Sequence, residues 1–90
     1  MLKTLENLIN LARERKKNSV KGSYTNKLLA DKSLSKAKVL EEIDELIEAI
    51  EKDTNKVHEA ADVFYHLLIY LEANEVKIED VMSELEKRKR

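Results

Sequence analysis

Apolar positions recur every three or four residues along most of the chain, and this period divides it into helices. Leu2, Leu5, Leu8, Ile9 and Ala12 predict an amphipathic first helix over residues 2 to about 17. The segment Asn18–Ser23 (NSVKGS) breaks the pattern and holds the chain's only glycine, Gly22, so it predicts a loop. Ser23 can cap a short helix through Tyr24, Thr25, Leu28 and Leu29. Ser33 or Ser35 can cap a third helix running to about Lys52, with Val39, Ile43, Leu46 and Ile50 as its buried ridge. Lys38, Glu42, Glu45 and Ala49 line the flank of that ridge. Asp53, Thr54 and Asn55 then break the helix and cap the next.

That next helix, centred on Val57–Leu71 (VHEAADVFYHLLIYL), is apolar over most of its circumference, the pattern of an element enclosed by others. Glu59, Asp62 and His66 form its one narrow polar stripe. A last amphipathic helix, carrying Ile78, Val81, Met82 and Leu85, is expected to cover the core. The basic tail, Lys87 to Arg90, is expected to be disordered. The fold class is all-α: one domain over residues 1–90, a bundle of four to five helices. A chain this short buries only roughly 60 to 65% of its unfolded surface, so so apolar a central helix calls for a homodimer to complete the core, with further pairing of dimers left open.

Composition supports this and narrows the chemistry. With 42% hydrophobic and 39% charged residues, one Gly and no Pro, the chain suits helices with short connections. The absence of Cys rules out disulfides and thiolate metal sites. Neither a signal peptide nor a membrane span is apparent, so no membrane partner and a cytoplasmic location are expected. The net charge of −1 gives no reason to expect nucleic-acid binding. Charge is nevertheless segregated. Arg13 to Lys27 carries six bases against one acid, and Glu41 to Asp62 carries nine acids against two bases. The basic end of the first helix, Arg15 included, suits a phosphate ligand or a solvated helix terminus.

The short turn at residues 53–55 forces an antiparallel hairpin, which brings Glu42 and Glu45 to the depth of Glu59 and Asp62. Four close carboxylates repel one another unless protons or cations neutralise them. Oxygen ligands select hard ions, so Mg²⁺ is expected, with Mn²⁺ as a substitute, and phosphoanhydride hydrolysis is the natural reaction. His66 reads as a structural or supporting residue rather than a ligand, and His58 as a surface residue.

These residues also resemble a known family. Gly22-Ser-Tyr-Thr25, Lys27-Leu-Leu29, Lys38-Val39, Glu41-Glu42-x-x-Glu45, Glu59-Ala-Ala-Asp62 and Tyr65-His-Leu-Leu68 together are similar to phosphoribosyl-ATP pyrophosphohydrolase, the second enzyme of histidine biosynthesis. The glutamate and Glu-x-x-Asp spacing alone identifies the wider MazG-like superfamily of all-α nucleotide pyrophosphohydrolases. The resemblance implies a helical, Mg²⁺-dependent homodimer that converts 1-(5-phosphoribosyl)-ATP to 1-(5-phosphoribosyl)-AMP and pyrophosphate. It implies metal ligation by Glu42, Glu45, Glu59 and Asp62, and catalytic roles for Glu42, Glu45 and Glu41, the last positioning or activating water. Lys38 would contact phosphate, with Ser23, Tyr24, Thr25 and Lys27 around the substrate. Two other readings stay open: a MazG-like hydrolase of other nucleoside triphosphates, and a non-catalytic helical dimerisation module.

Overall fold

A computed structural model describes residues 2–89. These form five helices and no strand: α1 (Lys3–Lys17), α2 (Tyr24–Ala30), α3 (Lys32–Lys52), α4 (Lys56–Ala73) and α5 (Ile78–Lys87). Among them no helix is long and apolar enough to cross a membrane. Helices α3 and α4 form the long antiparallel hairpin, and α1 and α2 lie across α4. The core centres on Ala12, Leu28 and Ile69, one residue each from α1, α2 and α4, with Leu8, Leu29, Leu34 and Tyr65 packed around them.

Local chemistry explains the joints. Gly22 adopts φ +81°, in the left-handed region where a residue without Cβ meets no steric penalty, and turns the chain into α2. The Ser23 side chain accepts from the Asn26 N–H, capping α2 as its position predicts. The cap of α3 differs from the expectation. Asp31, not Ser33 or Ser35, accepts from the Leu34 N–H, so α3 starts at Lys32 with a single residue separating it from α2. Ser35 is fully buried inside α3. At the hairpin turn Asp53 and Asn55 both take left-handed conformations, which their short polar side chains tolerate. The Thr54 N–H closes on the Ala49 carbonyl at 2.9 Å, whereas Asn55 starts α4 without a side-chain cap.

Burial departs further from the pattern. On α3 the face turned to the rest of the chain is Ser35, Val39, Glu42 and Ala49. The expected ridge of Val39, Ile43, Leu46 and Ile50 is therefore split, because Ile43 and Ile50 join Leu40 and Ile47 in an exposed apolar stripe. Helix α4 is not enclosed within one chain either: Val57 is 85% exposed and Phe64 57%. Helix α5 buries no residue fully and does not cover the core. It is held at the edge by Arg13, whose guanidinium spans Glu79 at 2.7 and 2.8 Å and the buried Glu72 at 3.2 Å. In the basic tail Lys87 is helical and Arg88 pairs with Glu84 at 2.9 Å, while Arg90 lies outside the described residues.

Candidate active site

The hairpin brings the acids together. One carboxylate oxygen each from Glu42, Glu45 and Glu59 lie within 4.8 Å of one another, and His58, Glu59 and Asp62 form a second such group that shares Glu59. Helical spacing makes this possible: Glu42 and Glu45, and Glu59 and Asp62, are i, i+3 pairs on facing helices. Glu42 is only 6% exposed, Glu59 and Asp62 are half-buried, and Glu45 is exposed. The Glu42 Oε2 and Glu59 Oε2 atoms are buried without any hydrogen-bond partner. Among the described residues neither Lys nor Arg pairs with any of the four carboxylates.

Such crowding disfavours ionisation. Burial, then the neighbouring Glu45 carboxylate, then Asp62, pushes the Glu42 carboxyl up to about 7 against the opposing pull of Lys38. The Glu59 carboxyl is raised for the same leading reasons, opposed by His58. Buried carboxylate oxygens without partners, set in an all-oxygen cluster, are what a hard divalent cation fits.

The other predicted residues fall around this centre. Glu41 is not brought into the cluster; it pairs with Lys38 at 2.7 Å on the exposed side of α3, and that ammonium holds its carboxyl below the usual range. Arg15 Nη1 donates to Ser23 Oγ at 2.6 Å, which ties the basic end of α1 to the start of α2. Thr25 is buried with its hydroxyl 2.5 Å from that of Tyr65. Tyr24 reaches the Nε2 of His66 at 3.0 Å. Lys27 is exposed on α2. His66 is buried and takes part in neither carboxylate group.

Three contributors escape the sequence reading. His58, exposed as expected, nonetheless sits 3.4 Å from Asp62; the i, i+4 spacing was its available signal. Asn26 clamps the loop before α2, accepting from the Val20 N–H and donating to the Arg15 carbonyl. Tyr65 orients Thr25 from across the α2–α4 contact, for which no local pattern exists.

A helical hairpin that gathers four acids, none paired with Lys or Arg among the described residues and two with buried partnerless oxygens, suits an all-α nucleotide pyrophosphohydrolase. Sequence comparison makes the assignment specific: the profile of the phosphoribosyl-ATP pyrophosphohydrolase family matches residues 3–89, and the chain belongs to that family. It is 44% identical over 89 residues to the phosphoribosyl-ATP pyrophosphatase of Clostridium acetobutylicum, covering 93% of this chain and 79% of that protein. The Methylobacterium nodulans protein of the same name is 43% identical over 88 residues, covering 94% and 82%. The histidine biosynthesis bifunctional protein HisIE of Pyrococcus furiosus is 37% identical over the whole chain, which spans 42% of it. No solved structure matches the chain by a comparable standard.

Proposed function

We propose that the protein hydrolyses 1-(5-phosphoribosyl)-ATP to 1-(5-phosphoribosyl)-AMP and pyrophosphate, the second step of histidine biosynthesis, with Mg²⁺ held by Glu42, Glu45, Glu59 and Asp62. Family membership supports the substrate. The observation that carries the metal reading is the pair of buried, partnerless oxygens on Glu42 and Glu59. A divalent cation bound there would supply positive charge against the polyphosphate and acidify a nearby water.

The chain's own groups do the rest. Water adds across the α–β phosphoanhydride: its oxygen bonds to one phosphorus, the bridging oxygen leaves with the other, and its proton passes to a carboxylate. Glu45, the exposed member of the cluster, and Glu41 at its rim are the acids suited to accept that proton. Lys38 and Arg15 offset phosphate charge, and Ser23, Thr25 and Lys27 surround the nucleotide.

A homodimer completes this reading. Leu40, Ile43, Ile47 and Ile50 recur at i, i+3, i+7 and i+10 on the outside of α3, and Val57 and Phe64 stand exposed on α4. An apolar stripe of that length on a small chain supports burial against a second copy.

The test is the Mg²⁺-dependent product of phosphoribosyl-ATP, identified by mass, beside the common nucleoside triphosphates. Release of phosphoribosyl-AMP is expected. Turnover confined to the common triphosphates would remove the substrate assignment.

A further inference from the structure

Tyr24 is a half-exposed aromatic ring whose polar end is tied down. Its hydroxyl lies 3.0 Å from His66 Nε2, and His66 Nδ1 lies 2.7 Å from the Asp62 carbonyl. A carbonyl can only accept, so Nδ1 carries the hydrogen; in the neutral ring Nε2 is then an acceptor, and the Tyr24 O–H donates to it. The ring itself is braced by Tyr65, offset-stacked at 6.3 Å and 16°, and by the edge of His66 at 5.8 Å and 75°. Tyr65 is fixed in turn by Thr25. So much bracing is spent on a ring left 45% open to solvent. A ring serving only to fill the core would be buried.

Its position gives the exposure a use. Through His66 its hydroxyl is tied to the backbone of Asp62, one of the clustered acids, which sets the ring beside the carboxylate centre. Basic side chains, and a cation held by the carboxylates, would meet phosphate, whereas the face of a flat heterocycle is best met by an aromatic ring. The chain has no Trp, and its single Phe, Phe64, follows Asp62 by two residues, on the opposite side of α4. We propose that Tyr24 is the stacking platform for the purine base of the nucleotide, and that His66 is a positioning residue that holds the platform in place through the Tyr24 hydroxyl. The proposal rests on the nucleotide reading above and goes beyond it in dividing the ligand: acids and cations for the phosphates, Tyr24 for the base.

The experiment separates base from phosphate. AMP carries the base without a polyphosphate, and inorganic tripolyphosphate with Mg²⁺ carries the polyphosphate without a base. By calorimetry, Tyr24→Leu should weaken AMP roughly tenfold or more, the usual scale for losing a base–aromatic stack, while tripolyphosphate stays within about twofold. KM for phosphoribosyl-ATP should rise with AMP affinity lost, and kcat should move much less. His66→Leu should reproduce the smaller KM rise of Tyr24→Phe, the double variant should be no worse than the worse single, and His66→Gln, which keeps an acceptor, should recover most of the loss. Should His66→Leu fail to fold, Tyr24→Phe breaks the same link without touching the core. Unchanged AMP affinity in Tyr24→Leu, or equal losses on both ligands, overturns the platform; additive His66 and Tyr24 effects overturn the positioning role. A wild-type protein inert toward phosphoribosyl-ATP overturns the reaction, while the AMP measurement still decides the platform.

Discussion

Glu42 is a carboxyl group kept where it least favours ionisation, and its titration should be visible in the stability of the whole chain. Its pKa of about 7 in the folded state lies above the ordinary 4.5, so between those values the folded protein holds a proton that the unfolded chain has released. Stability therefore falls as pH rises through that window. At roughly 1.4 kcal/mol per pKa unit, the loss is at most about 3.5 kcal/mol. Glu59 shifts the same way. Without metal, Tm should drop between pH 5 and pH 7.5, and Glu42→Gln should flatten that decline, raise Tm at pH 7.5 and abolish turnover. A Glu42→Gln protein with the wild-type pH profile would show that the carboxyl does not carry the raised pKa.

Individual helices are held by unequal means. Helix α2 is locked from both ends, by the Ser23 cap and by Asn26, whereas α5 depends on Arg13. Glu72 is buried under Arg13 and Lys16, and Glu79 reaches Arg13 from the α5 side. Arg13→Met should strand the Glu72 carboxylate beside Lys16 alone and lower stability by about 1–3 kcal/mol, the cost of an under-satisfied buried polar group. It should also speed amide exchange across Ile78–Lys87 while the other four helices keep their protection. Arg13 also holds the Glu79 carboxyl down at about 2, so this tether contributes above the ordinary carboxylate range and is lost as pH falls from about 4.5 toward 2. Uniform exchange in wild type and variant would show that α5 is anchored by something else.

At the scale of the molecule, the exposed apolar stripe and the acid cluster lie on one hairpin and make separate predictions. Ile47→Glu should place a charge in the stripe and shift the protein from dimer to monomer in sedimentation, with helicity retained. A wild-type mass of a single chain would end the dimer reading. Mg²⁺ should raise the wild-type Tm, because a ligand of the native state stabilises by RT ln(1 + [L]/Kd), about 2.7 kcal/mol at a hundred times Kd. Glu59→Gln, which removes the acid shared by both side-chain groups proposed to hold the ion, should abolish that rise. An equal rise in the variant would take Glu59 out of the ligand set.

Near-neighbour chemistry along the chain was enough to determine the all-helical fold, the Gly22 turn, the Ser23 cap and the hairpin that sets Glu42 and Glu45 against Glu59. Each follows from a period of 3.6 residues, a glycine, a capping hydroxyl or a turn too short for anything but a hairpin. Tertiary structure alone decided which apolar stripe of α3 faces inward. Val39 and Ala49 pack inside and Leu40, Ile43, Ile47 and Ile50 stay outside, because two stripes roughly a third of a turn apart read alike until a neighbouring helix chooses between them. The same holds for Asp31 displacing Ser33 and Ser35 as the cap, for Glu41 turning to Lys38, and for Tyr24 meeting His66 forty-two positions away. The Tyr24–His66 contact depends on how α2 and α4 cross, of which spacing along one helix carries no record, whereas the Asp31 cap and the Lys38–Glu41 pair are three-residue local choices among several that the sequence offered.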